Sequence, residues 1–139
     1  MKISPTLWGK NLIYLASPYS HGDPAVMQQR FDTVSCVVGI LIETGFLIFS
    51  PILHSHPIAQ LNLVGRGFKE WRRFDLTMLD KCDGFCVFKS DGWETSKGMQ
   101  EEFQYARART MPLFEYTDSR EIIQMTEATT VSFTEMGEG

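Results

Sequence analysis

Four short runs rich in branched and aromatic residues recur along the chain, NLIYLASPYS, FLIFSPI, FCVFK and MPLFEY, with stretches of helical apolar spacing between them. Two strands that run side by side in the same direction need a long crossover, usually a helix, and that crossover is right-handed. The alternation therefore predicts a parallel sheet covered by helices on both faces, and the nearly unbroken apolar character of the runs suits strands buried from both sides. At 139 residues with 43% apolar content the chain fits one compact domain around one core.

Asp23-Pro24 opens a helix in which Val26, Phe31, Val34, Val37, Val38 and Leu41 keep helical spacing as far as Thr44, and Gly45 offers the stop. A loop holding HSHP then leads to a helix from about Phe68 to Lys81, and a further helix runs from about Lys97 to Arg109. DSREIIQMTEA predicts a last helix, and TTVSFTEMGEG reads as a frayed tail or an arm packing on a partner. The fold class is α/β, a flavodoxin-like or Rossmann-like sandwich with a parallel sheet of four to five strands, in a single domain over residues 1–126 followed by a tail or arm over 127–139.

The net charge is -4 and no basic run exceeds Arg72-Arg73, so the electrostatic footprint of a nucleic-acid binder is missing while a small anionic ligand stays open. No apolar run approaches the roughly 20 residues of a bilayer span, and MKISPTLWGKN lacks a signal-like apolar stretch, so the chain reads as cytoplasmic, with no membrane partner. Cys36, Cys82 and Cys86 are odd in number, and CDGFC lacks the spacing and second pair of a zinc site, so they read as core thiols and no metal is expected.

Ligands of open parallel sheets sit beyond the carboxyl ends of the strands. Here those ends read LASPYS, FSPILHSH, FKSDGWETSKG and EYTDS. On a helical wheel Met99, Phe103 and Ala106 form a stripe with Glu102 at its edge, whereas Glu101 points nearly opposite and reads as solvated. In the preceding helix Phe68, Trp71, Met78 and Leu79 define an apolar face with Asp75 in its middle. An ionised carboxylate removed from water costs several kcal/mol unless it is paired, so two such acids from different helices point to a catalytic pair. The structural alternatives are an ion pair of Asp75 with Arg30, Arg72 or Arg73, and a Glu102 favoured only by the dipole at its helix N-terminus.

Three ordered motifs carry a family likeness: IYLASPYS, with Tyr14 late in the first strand; DLTMLDKCDGFCVF, with Asp75 eight residues before Asp83; and SKGMQEEFQYA, with Ser96, Gly98, Glu102 and Ala106 in the pattern Ser-x-Gly-x-x-x-Glu-x-x-x-Ala. Over about Asn11 to Leu113 the chain resembles the nucleoside 2-deoxyribosyltransferase-like superfamily, which includes base-exchanging transferases and N-glycosidases that hydrolyse nucleoside 5'-monophosphates. ASPYSH, FSPILHSHP and GWETSKG are similar to a small branch of it. The resemblance implies Glu102 as nucleophile, Asp75 as its acidic companion, protonating the departing base or holding a sugar hydroxyl, and Tyr14 as the hydroxyl that orients Glu102. It also implies a homodimer or higher homo-oligomer, with a neighbouring chain closing each pocket through the HSHPIAQLNLVGRGF loop or the tail.

Deoxyribosyltransferases that resemble this chain carry an acid where Ser96 stands, and the monophosphate hydrolases a serine. Ser96, Lys97 and the Gly98 amide at a helix start make an anion cradle, although Ser96 also suits a plain N-cap. Ser17, Tyr19 and Ser20 follow the first strand and line the expected pocket; His54 and His56 bracket Ser55 in the loop after the second, suited to reading a base edge, to acid–base work near neutral pH, or to a structural or pocket-lining role, which is favoured over catalysis. Phe49 and Trp93 suit either base stacking or packing. The reading is a nucleotide N-glycosidase that needs no cofactor, with base-exchanging transferase and non-catalytic nucleotide sensor as the alternatives.

Overall fold

The computed structural model describes residues 2–61 and 68–138. In chain order the elements are α1 (Pro5–Trp8), β1 (Leu12–Ala16), α2 (Pro24–Thr44), β2 (Leu47–Phe49), α3 (Pro51–Gln60), α4 (Phe68–Lys81), β3 (Gly84–Phe88), a 3-10 turn (Trp93–Thr95), α5 (Lys97–Ala108), β4 (Leu113–Tyr116), β5 (Ile122–Gln124) and α6 (Glu127–Glu138). Local chemistry sets the ends of α2 as expected. Asp23 accepts from the Ala25 amide at 2.9 Å with Pro24 in the first turn. Gly45 ends the helix at φ 113°, a left-handed conformation that a side chain would strain.

The sheet runs β2-β1-β3-β4-β5, with the first four strands parallel and β5 antiparallel to β4. From β1 the chain moves to β2 on one side, then crosses back to β3 on the other and continues to β4. Right-handed crossovers in opposite directions must pass over opposite faces, so α2 covers one face while α4 and α5 share the other. The alternation of β1 follows from this. Ile13 and Leu15 pack with Val34, Val37, Val38 and Leu41 of α2. Tyr14 and Ala16 face Leu79 of α4, Met99, Phe103 and Ala106 of α5, and Phe133 of α6. On that second face α5 begins just beyond the carboxyl end of β3, and α4 packs against it.

The structure departs from the sequence reading at five places. The HSHP segment lies within α3 rather than a loop. Its Pro57 forfeits one backbone hydrogen bond, yet Ile52 and His56 on the inner side are buried and the helix continues. DSREIIQMTEA forms a tight turn and β5 instead of a helix: the Thr117 amide donates to the Glu121 carbonyl at 2.9 Å, and Arg120 takes the left-handed conformation at φ 62° without the glycine that would announce it. The segment expected to fray or reach a partner forms α6, whose Phe133 is fully buried and stacks on Phe103 at 4.7 Å. Cys82 and Cys86 are buried thiols, whereas Cys36 is exposed on α2. Finally, α2 is long and apolar enough to cross a membrane by length and composition, contrary to the reading that no run comes close, although its inner stripe packs on the sheet. Part of the HSHPIAQLNLVGRGF segment, residues 62–67, and the side chain of Phe68 lie outside the described residues.

Since Phe133 fills the space over Phe103, Phe133→Ala should lower the unfolding free energy by about 3–5 kcal/mol, the usual cost of deleting a buried aromatic side chain. Denaturant titration measures this, and a loss below about 1 kcal/mol would show that α6 is not part of the core.

Candidate active site

A cavity of about 670 Å³ opens at the carboxyl end of β1, walled by the loop after that strand, by α3 along its length, by the middle of α4 and by the early turns of α5. Ser17, Tyr19, Ser20, Asp75, Ser96, Lys97, Gly98 and Glu102 all line it. Tyr14 lies beneath, fully buried, and its hydroxyl donates to Glu102 Oε2. This bond follows from the pleat: even-numbered residues of β1 face α5, so only they can meet a side chain that α5 turns inward.

The electrostatics are those of groups short of solvent. Burial pushes the Glu102 carboxyl up to about 8; the Tyr14 hydrogen bond opposes the shift, and Asp75 and Glu101 add to it. Burial likewise pushes Asp75 up to about 7. Tyr14 is raised well above its ordinary value by burial first, then by Glu102 and Asp75, so it keeps its proton and stays a donor. Asp75 makes no ion pair among the described residues, and its Oδ1 is buried without a hydrogen-bond partner. The buried Ser17 Oγ on the same cavity is also unpartnered. Leaving such groups unsatisfied costs about 1–3 kcal/mol each, which a ligand with matching polar groups would relieve.

At the mouth of α5, Ser96 is an N-cap: its Oγ accepts from the Met99 amide at 3.3 Å. The amides of Lys97 and Gly98 belong to the first turn, where N–H groups lack intrahelical partners. A Cβ built on Gly98 would meet nothing within 4 Å, so the cavity comes up to bare backbone at that point.

Neither histidine lines the cavity. His54 stacks on Phe74 at 4.5 Å, away from it. His56, 3% exposed, lies behind Tyr19 and stacks on Phe31. Its Nδ1 is 2.5 Å from the Tyr19 hydroxyl and its Nε2 is 3.0 Å from Gln28 Oε1. Gln28 in turn donates its amide nitrogen to Asp32, which fixes its oxygen toward His56. Burial lowers the His56 pKa, so a neutral ring donates from Nε2 and accepts from Tyr19. Its place is to hold Tyr19 in the wall. Arg30 holds the same loop by donating to the Ser20 carbonyl at 3.0 Å. Phe49 packs on Tyr14 and Trp93 on Phe133, so both pack instead of lining the cavity.

Sequence reasoning set aside residues that do line the cavity, among them Ser55, Trp71, Arg72 and Glu101. Trp71 and Arg72 precede Asp75 by four and three residues, which places them on its helical face, and that spacing was the available signal. Glu101 is not simply solvated: it forms an ion pair with Arg72 at 2.8 Å. The wheel placed it opposite the core of its own helix, but that side of α5 looks across to α4. Among the described residues no cluster of three or more His, Cys, Asp and Glu side chains could hold a metal ion.

The raised Glu102 pKa has a stability consequence. Between its ordinary value of 4.5 and about 8 the folded state holds a proton that the unfolded chain has released, so this group makes the fold less stable as pH rises through that window. Glu102→Gln should therefore raise Tm, with a gain that grows from pH 5 to pH 8. A gain that does not change with pH would contradict the burial.

The family model described as a domain of unknown function, DUF1937, matches residues 11–118. No curated protein matches the chain. Among solved structures, a 2-deoxyribosyltransferase from the psychrotolerant bacterium Bacillus psychrosaccharolyticus is similar, with 26% identity and a TM-score of 0.53 over 76% of this chain and 71% of that one. With the strand order, the shared faces and the family match in place, the chain belongs to the DUF1937 family, within the nucleoside 2-deoxyribosyltransferase-like superfamily.

Proposed function

We propose that this protein is an N-glycosidase that cleaves the base–sugar bond of a nucleoside or deoxynucleoside 5'-monophosphate, with Glu102 as nucleophile. The observation that carries the reading is the buried Glu102 carboxyl bonded to Tyr14 beside Asp75, whose inner oxygen has no partner, all at one cavity. Similarity to a solved 2-deoxyribosyltransferase supports an enzyme acting on nucleosides or nucleotides.

Cleavage of an N-glycosidic bond builds positive charge at the anomeric carbon, so a carboxylate below that carbon lowers the barrier. The two carboxyls, at about 7 and about 8, share one proton over part of the pH range; in the form that places it on Asp75, Glu102 attacks as the bond to the base breaks and Asp75 delivers the proton to the departing base nitrogen. Water then hydrolyses the glycosyl ester and the two carboxyls return to their starting states. Tyr14 donates to the ionised form of Glu102 and so favours the nucleophile. Ser96, Lys97 and the Gly98 amide face the phosphate.

Chromatography of a panel of ribo- and deoxyribonucleoside 5'-monophosphates should show free base released by the wild type and none by Glu102→Gln, which keeps binding. Absence of release from every member would leave a nucleotide-binding module instead. The structural likeness to a transferase gives a second reading, and transfer of deoxyribose between two free bases, with no phosphate required, would favour it.

The active form needs Glu102 ionised and Asp75 protonated. At low pH both carry protons and no nucleophile exists; at high pH neither does and no acid remains. Base release should thus follow a bell whose limbs bracket about 7 and about 8, as apparent values of the pair. Tyr14→Phe removes the hydrogen bond that favours the carboxylate, so it should lower kcat about tenfold or more and move the acid limb to higher pH. A profile that keeps its acid limb near pH 4 in both proteins would overturn this assignment.

A further inference from the structure

Arg72 of α4 and Glu101 of α5 join the two helices at the cavity, with Arg72 Nε 2.8 Å from Glu101 Oε2. Their side chains are 50% and 35% exposed, so the pair adds little to stability. Its effect is positional. A guanidinium carries five N–H donors in a rigid plane; the contact with Glu101 is a charge pair rather than an aligned hydrogen bond, and among the described residues Arg72 makes no hydrogen bond, so its donors are open to another acceptor. Lys97 precedes Glu101 by four residues and so shares its side of α5, roughly one turn nearer the helix mouth.

The charge around the cavity gives these donors a use. Asp75, Glu101 and Glu102 line it against Lys97 and Arg72. Without Arg72 three acids would face one lysine, a poor receptor for a dianionic group. With it Glu101 is offset, and a guanidinium, an ammonium and the bare backbone at Gly98 lie on one cavity. A planar fork meets two phosphate oxygens at once, which a point charge does not.

We propose that Arg72, held by Glu101, is the residue that recognises the ligand's phosphate and separates phosphorylated from unphosphorylated nucleosides. This rests on the nucleotide reading of the site given above and adds the residue that sets the selectivity. Glu101 is then a positioning residue, acting through Arg72.

Titration calorimetry on the full chain tests it without turnover when every protein, including the wild-type reference, carries Glu102→Gln, using the four deoxynucleoside 5'-monophosphates and the four matching nucleosides. Arg72→Gln should weaken the best-bound monophosphate about 10- to 100-fold, the usual effect of losing a charge-assisted contact, and leave nucleoside binding unchanged. Arg72→Lys should recover part of the affinity, and Glu101→Gln should weaken the monophosphate by less than Arg72→Gln. Circular dichroism checks that each variant is folded. Equal losses for both ligand types, an Arg72→Gln protein that binds monophosphate as the reference does, or a reference that binds no monophosphate overturns the proposal. Selective loss, where the protein with Glu102 intact releases no base, supports the Arg72 assignment and rejects only the hydrolase reading; base release with Glu102 intact and unaltered binding by Arg72→Gln does the reverse.

Discussion

A carboxyl group deprived of water on the inner side of a helix is the constraint around which this molecule is arranged. Glu102 is tolerable there because Tyr14 donates to it and because, near neutrality, burial lets it hold its proton. Both conditions come from the sheet. The pleat of β1 sends Tyr14 to the α5 face, and the handedness of the crossovers puts α4 on that face as well, so a second acid arrives from another helix. Had the chain passed from β1 directly to its other neighbour, α2 would have occupied that side and the two acids would have lain on opposite faces.

The wall that follows β1 is built differently. It hangs on a loop, Ser17 to Ser20, and loops need support if they are to present groups in fixed places. The line from Asp32 through Gln28 and His56 to Tyr19 supplies it from α2, and Arg30 adds a hold on the loop's carbonyls. One side of the cavity is therefore fixed by core packing and the other by a hydrogen-bond chain anchored at the surface, where Gln28 and Asp32 are exposed.

Much of this was legible before any coordinates. Period and length announced the parallel sheet, since strand and helix alternate with short connections. Asp75 stood out because an acid in the middle of an apolar face is physically expensive, and Glu102 was preferred to Glu101 by the same geometry. What could not be read depends on neighbours in space. Pro57 argues against a helix until His56 and Ile52 are seen packed beneath it. Arg120 makes a left-handed turn without glycine, so the return into β5 carried no punctuation. The histidines looked like pocket residues from their loop-like setting, and the helix that holds them turns His56 behind Tyr19 and His54 onto Phe74. Glu101 was misjudged because a wheel knows its own helix but not the one packed against it.

The far edge of the sheet shows a further economy. The Ile3 amide donates to the Ile122 carbonyl at 2.8 Å, and Lys2 bridges Ile123 in antiparallel fashion, so the start of the chain lies along the outer side of β5. A row of peptide groups open to pairing with a foreign strand is thereby occupied by the molecule itself. At the other margin β2 offers only three residues, too short a template for lasting intermolecular pairing. Removing the first few residues would thus unblock an adhesive margin far from the cavity, and it would show as self-association at high protein concentration.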